Sequence, residues 1–152
     1  MTTLEPILRE HPFFQGMEAE NLACVTSCAQ NIHQKDGFLF REKEPANHFY
    51  LIREGKLSLE VASRTGPLVI DTLDAGDVVG WSWLFPPYQW HFDARALEPL
   101  RAVALNGKCL RQKCETDTRL GFDLMRRFSR LLVERLQATR LRLVEAYEEN
   151  RQ

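Results

Sequence analysis

Between Ile32 and Leu105 the chain runs in short stretches of apolar and β-branched residues, interrupted by Lys35-Asp36-Gly37, Arg53-Glu54-Gly55, Arg64-Thr65-Gly66 and Asp74-Ala75-Gly76. Each interruption ends on a glycine, the residue that turns the chain through positive φ without steric cost. Short strands separated by turns at this regular spacing predict an all-β sandwich or barrel. Residues 48–52 and 56–61 flank the Glu54-Gly55 turn and are expected to pair as a hairpin, the second strand alternating polar and apolar. No long repeat and no low-complexity stretch is present.

Both flanks are helical. Leu4, Ile7 and Leu8 share one helix face, a break follows at His11-Pro12, and Leu22, Val25 and Cys28 recur at helical spacing, so two short N-terminal helices are expected. Beyond Lys113, Thr116 or Thr118 can cap a helix whose apolar side carries Leu120, Leu124, Phe128, Leu131, Leu132, Leu136, Thr139, Leu143, Ala146 and Tyr147. A helix of about 30 residues is roughly 45 Å long, more than a small β domain can cover. Its far half, with Leu136, Thr139, Leu143 and Ala146 at spacings of three and four, is therefore expected to meet a second copy of itself. The alternative is an amphipathic helix lying wholly on its own domain. The expected class is α+β, mainly β, as a single domain over 1–152: N-terminal helices at 1–30, the β region at 31–115 and a C-terminal helix at 116–150.

Composition narrows the function. The 152 residues are 44% hydrophobic, enough for one core without staples. The 20 Lys plus Arg nearly cancel the 21 Asp plus Glu, so no overall basic field draws nucleic acid or an anionic membrane. Met1-Thr2-Thr3-Leu4-Glu5 lacks signal-peptide character, and no apolar run reaches the roughly 18 residues of a membrane span, so the chain is read as cytoplasmic with no membrane partner. Cys24, Cys28, Cys109 and Cys114 lack the C-x2-C spacing of zinc ribbons and read as small buried thiols. His11, His33, His48 and His91 are scattered singly, and neither a catalytic triad nor a Gly-rich phosphate loop is present, so no enzyme activity is expected.

The densest signal is Gly76-Asp77-Val78-Val79-Gly80-Trp81-Ser82-Trp83-Leu84-Phe85, running on to Trp90-His91-Phe92-Asp93-Ala94-Arg95-Ala96. It resembles the phosphate-binding cassette of cyclic-nucleotide-binding domains, the sensory fold of the cAMP receptor protein and other Crp-Fnr regulators. Further segments resemble that family in the same order: His11-Pro12-Phe13-Phe14 its N-terminal helical turn, residues 40–55 the strands that follow, 72–80 the approach to the cassette, and Arg95-Ala96-Leu97-Glu98-Pro99 the next strand. The resemblance implies an eight-stranded β jelly roll (double-stranded β-helix) closed by a long C-helix, with a short cassette helix gripping a cyclic phosphate.

That grip has definite chemical requirements. Desolvating a phosphate costs several kcal/mol unless a cation and amide donors surround it. The family supplies an arginine, the amides of a helix N-terminus, and a glutamate for the ribose hydroxyl. Counting from Gly80 places Trp81 at the glutamate position, and counting back from Arg95 places Trp90 at the arginine position. An indole offers one neutral N–H and pairs with no phosphate. Two alternatives stand open: Arg95 is itself the phosphate ligand, with Pro86-Pro87-Tyr88-Gln89 inserted, or His91 supplies the cation beside Asp93. Arg135-Leu136-Gln137-Ala138-Thr139 resembles the C-helix segment whose threonine contacts the adenine, which brings Arg135, Thr139 and Arg140 to the cavity. The implied ligand pocket is then Gly80, Trp81, Ser82, Trp90, His91, Arg95, Arg135, Thr139 and Arg140. Trp81, Trp83, Phe85, Tyr88, Trp90 and Phe92 are six aromatics in twelve residues, and they either line this pocket for a planar or apolar ligand or fill it. Some relatives hold an iron-sulfur cluster on N-terminal cysteines, whose spacing Cys24 and Cys28 do not reproduce.

In the family's transcription factors a helix-turn-helix follows the C-helix. Here the sequence ends at Glu149-Asn150-Arg151-Gln152, and DNA binding by this chain alone is not expected. The expectation is a sensory or regulatory module, homodimeric through its C-terminal helix. It would take a small ligand other than ordinary cAMP, a nucleotide or a planar or apolar molecule, or bind a partner protein. A ligand-free dimerisation adaptor and a cupin-type metalloenzyme are the alternatives.

Overall fold

The computed structural model describes residues 4–150, so the readings at Met1-Thr2-Thr3 and Arg151-Gln152 lie outside it. Helix α1 (Glu5–Glu10) ends at His11, whose ring Nδ1 accepts a hydrogen bond from the Phe13 amide at 3.3 Å and opens the 3-10 turn Pro12–Phe14. Helix α2 (Ala19–Thr26) follows. Leu8, Leu22 and Val25, the residues whose spacing predicted these helices, are fully buried.

Eight strands come next among the described residues: β1 (Ala29–Gln34), β2 (Phe38–Phe40), β3 (His48–Glu54), β4 (Lys56–Ser63), β5 (Gly66–Asp74), β6 (Val78–Val79), β7 (Asp93–Ala96) and β8 (Leu100–Asn106). They form two four-stranded antiparallel sheets, in the orders β1-β8-β3-β6 and β2-β7-β4-β5. The alternation along β3 divides the core. Phe49 and Leu51 join Leu8, Phe14, Leu22 and Phe128 under the helices, while Ile52 joins Phe40, Leu57, Trp90 and Leu100 between the sheets.

The expected β3–β4 hairpin does not form. β3 is flanked by β8 and β6, β4 by β5 and β7, so the Glu54-Gly55 turn carries the chain from one sheet to the other. Gly55 has φ of 100°, and a Cβ there would come within 2.9 Å of the Leu100 Cα, so the crossing requires glycine. The hairpin is instead β4–β5, closed where Ser63 faces Gly66. The alternation expected on β4 also fails in outcome. Leu57, Ser58, Leu59 and Glu60 are all buried, because Leu57 and Leu59 face the core while Arg95 lies against Glu60 on the other face.

Residues 107–116, placed by sequence texture mostly at the end of the β region, form helix α3 (Gly107–Thr116), capped by the Asn106 side chain. Helix α4 (Thr118–Glu149) is capped by Asp117 rather than by Thr116 or Thr118: its carboxylate accepts from the amides of Arg119 at 3.1 Å and Leu120 at 3.2 Å. The single apolar side expected of this helix divides in two. Leu120, Leu124 and Phe128 pack on the domain, whereas Leu136, Leu143 and Tyr147 are 60%, 64% and 68% exposed on the single chain. No helix among the described residues is long and apolar enough to cross a membrane.

The cysteines correct the expectation of four small buried thiols. Cys28 and Cys109, 81 residues apart, form a disulfide, while Cys24 and Cys114 are free and half-buried. Pairing of β1 with β8, with Ala29 opposite Leu105, brings the end of α2 beside the start of α3. Local spacing carries no trace of that long-range pairing.

Candidate ligand site at the cassette

The segment between β6 and β7 is organised around Gly80. With φ of 101°, Gly80 lies so close under the Trp90 ring that a Cβ would come within 2.7 Å of Trp90 Cζ3. Trp90 is 2% exposed and stacks on Phe40, with ring centroids 3.7 Å apart. Its amide donates to the Glu44 carbonyl at 3.0 Å, and its carbonyl accepts from the Lys43 amide at 2.8 Å. The residue at the implied arginine position is therefore a core side chain.

The implied cassette helix is absent. Residues 80–92 form turns, in which the Leu84 amide donates to the Trp81 carbonyl and the Tyr88 amide to the Phe85 carbonyl, each at 3.0 Å. Pro86 and Pro87 have no amide hydrogen and steer the residue before each of them away from helical geometry. A row of helix N-terminal amides, the second requirement for a bound phosphate, is thus missing with the arginine. Trp83 is completely buried, stacked on Phe49 at 5.1 Å and edge-on to Phe128 at 5.4 Å. Ser82 is buried beside it, and Arg111 of α3 donates to the Trp83 carbonyl while lying over the Tyr88 ring, 4.2 Å from its centroid.

Trp81, at the implied glutamate position, faces α4. The Arg135 guanidinium lies over its ring, 5.1 Å from the centroid, and donates through Nη2 to the Val78 carbonyl. The Nη1 atom of Arg135 is shielded from water and has no hydrogen-bond partner. Burial pulls the Arg135 pKa down, opposed by the charges of Asp71 and Asp77, and a guanidinium so placed keeps its proton. Burial in turn pushes the Asp77 pKa up, against the Asp74 amide that donates to its carboxylate at 2.9 Å. A shielded cation with a spare donor thus stands between the cassette approach and α4.

The remaining candidates disperse. Arg95, the alternative phosphate ligand, is committed to Glu60 through Nη2 at 2.8 Å and Nε at 2.9 Å. Burial would raise the Glu60 pKa, but the hydrogen bond from Arg95 and the Arg95 charge hold it below the ordinary value. His91 is exposed, and Asp93 is engaged by the Glu42 amide at 2.7 Å and Arg41 at 3.5 Å. Thr139 and Arg140 are exposed on α4. Sequence reasoning missed Arg142, which donates to the Ile70 carbonyl and pairs with Asp71 at 2.9 Å, tying α4 to β5. Its signal was its position seven residues after Arg135, on nearly the same helix face. Among the described residues, no group of three or more His, Cys, Asp or Glu side chains is arranged to hold a metal ion.

The comparisons with known proteins agree with this architecture. The profile of the family described as "Cyclic nucleotide-binding domain" matches residues 30–117, and the chain belongs to that family. A protein from Geobacter metallireducens GS-15 named for cyclic nucleotide binding is similar at 28% identity over 90% of this chain and 99% of that one, with a TM-score of 0.78. A cyclic nucleotide-binding domain from Methylobacillus flagellatus KT is similar at 19% identity over 95% of this chain and 86% of that one, with a TM-score of 0.82. The catabolite activator protein of Thermus thermophilus is similar at 24% identity over 87% of this chain and 61% of that one, with a TM-score of 0.70. The last two show the shared fold. No curated protein sequence matches the chain. The profile and the shared architecture define a cyclic nucleotide-binding domain.

Proposed function

We propose that this chain is a cytoplasmic, non-enzymatic regulatory module, dimeric through α4, whose cassette does not take cAMP by the family's phosphate grip. The observation that carries this reading is the pair of tryptophans. Trp90 is packed in the core where the resemblance implies an arginine, and Trp81 stacks with Arg135 where it implies a glutamate. The sensor frame is kept, and the ligand it suits is planar or apolar with one anionic or acceptor group. Such a ligand would stack at Trp81 and use the spare Arg135 donor. A partner protein seated on the same face is the other route to a signal.

The burial of Trp90 supports a second reading, a ligand-free dimerisation adaptor. Melting temperatures across a panel of cyclic nucleotides and planar metabolites, with mass spectrometry of co-purifying molecules, separate the two. Stabilisation by a planar ligand that is lost in Trp81→Ala supports the sensor, and a flat panel supports the adaptor. Stabilisation by cAMP overturns the proposal.

A further inference from the structure

We infer that the seam between α2 and α3 is a thiol–disulfide exchange site, at which Cys28 and Cys109 open and close with a small disulfide of the glutathione type. The inference is independent of what the cassette binds. The bond lies in the wall of an open cavity of about 420 Å³, which Gln30, His48, Lys108 and Gln112 also line. That volume falls in the range of about 300–1,000 Å³ typical of small-molecule sites. Structural disulfides of small domains need no such access, whereas exchange requires that a second thiol reach a sulfur.

The two sulfurs are not equivalent. Cys28 is 8% exposed, while Cys109 is half-buried and sits in the first turn of α3, its amide donating to the Asn106 cap at 2.9 Å. Of the two sulfurs, that of Cys109 is the one an incoming thiol reaches first. Lys108 places an ammonium on the same cavity, suited to a peptide carboxylate, and burial lowers the pKa of His48, leaving a neutral imidazole beside it. Cys114 lies nearer the other end of α3. Burial, then Cys24, Asp117 and Glu115, push its thiol pKa up, so it stays protonated and does not compete.

In the closing direction the Cys109 thiolate attacks one sulfur of oxidised glutathione, forming a mixed disulfide and releasing one glutathione thiolate. The Cys28 thiol loses its proton to solvent, attacks the Cys109 sulfur, closes the protein bond and releases the second thiolate. Two protein thiols are oxidised and one small disulfide is reduced to two thiols. Opening is the reverse, with first attack on the more accessible Cys109. The next turn of α3 carries Arg111, which holds the Trp83 carbonyl and the Tyr88 ring, so opening the bond loosens the tether of the cassette.

The test is an equilibration of the full native chain in glutathione buffers of graded oxidation, quenched by alkylation and read by intact-mass and peptide mass spectrometry. The inference expects the Cys28–Cys109 bond to open and close reversibly without unfolding, and Cys28→Ser to collect a single glutathione on Cys109. Hydrogen exchange across residues 83–88 should rise when the bond opens. A bond that opens only in denaturant, or adducts spread equally over Cys24 and Cys114, overturns it, and unchanged exchange at 83–88 overturns the coupling to the cassette. Should Cys28→Ser fail to fold, peptide mapping of the unsubstituted chain decides the matter alone.

Discussion

Arg135 of α4 stacks on Trp81 of the cassette, its guanidinium 5.1 Å from the ring centroid, and so fixes the long helix to the segment where the family holds its nucleotide. The contact joins two features far apart in the sequence, a tryptophan in place of an acid and an arginine on the C-helix. With the hydrogen bond to the Val78 carbonyl, it makes α4 part of the site.

Arg135→Ala removes a partly desolvated cation–π contact worth about 0.5–2 kcal/mol and a charged hydrogen bond worth about 1.5–3 kcal/mol. Because part of the loss is recovered by hydrating the freed carbonyl, a net destabilisation of about 1–3 kcal/mol is expected in urea unfolding. Tryptophan emission should shift to the red, since Trp81 loses its cover. An unchanged emission maximum would mean that the contact does not form.

The Gly80–Trp90 contact separates backbone strain from crowding. Gly66 also has positive φ, at 113°, but nothing lies within 4 Å of a Cβ added there. Gly66→Ala should cost about 1–2 kcal/mol from backbone strain alone, and Gly80→Ala a further roughly 1–3 kcal/mol from overpacking against the indole. Equal losses in the two variants would place Trp90 elsewhere.

Stability should fall as pH drops from 7.5 to 5. His11 has its pKa lowered by burial, against the Ile52 backbone carbonyl, and His48 has its pKa lowered by burial. The unfolded chain therefore binds protons more readily than the fold across the range below about 6.5, and that difference favours unfolding as pH falls. Urea midpoints at the two pH values give the slope, and His11→Asn should flatten it. A midpoint that rises on acidification contradicts the burial of these rings.

On α4, Leu136→Glu together with Leu143→Glu should convert a dimer to a monomer in sedimentation velocity with little change in helicity. Both side chains stand in the stripe that the domain leaves uncovered. A wild-type chain that sediments as a monomer at all concentrations would remove the basis for this interface.

Much of the fold was legible in the sequence, and the reasons differ by element. The turn glycines at Gly37, Gly55, Gly66 and Gly76 lie where the texture placed them, because positive φ leaves glycine as the low-cost choice. Which sheet each strand joins was not legible: residues 48–52 and 56–61 look like a hairpin locally, and only β8, β6, β5 and β7 competing for their edges sends them apart. Helix α3 was hidden by its short, mostly polar sequence, and the Cys28–Cys109 bond by its separation of 81 residues. In the site, the identity of Trp81 and Trp90 was readable, whereas the stacking of the first with Arg135 and the burial of the second against Phe40 depend on packing between distant segments.

The account turns on whether the tryptophan-filled cassette still accepts a cyclic nucleotide. Isothermal titration calorimetry of the full chain with cAMP and cGMP measures this directly. No saturable heat at millimolar nucleotide is the predicted result, given a core tryptophan at the arginine position and no cassette helix to supply amides. One-to-one binding with a Kd of about 1 μM, corresponding to about −8 kcal/mol, would contradict it.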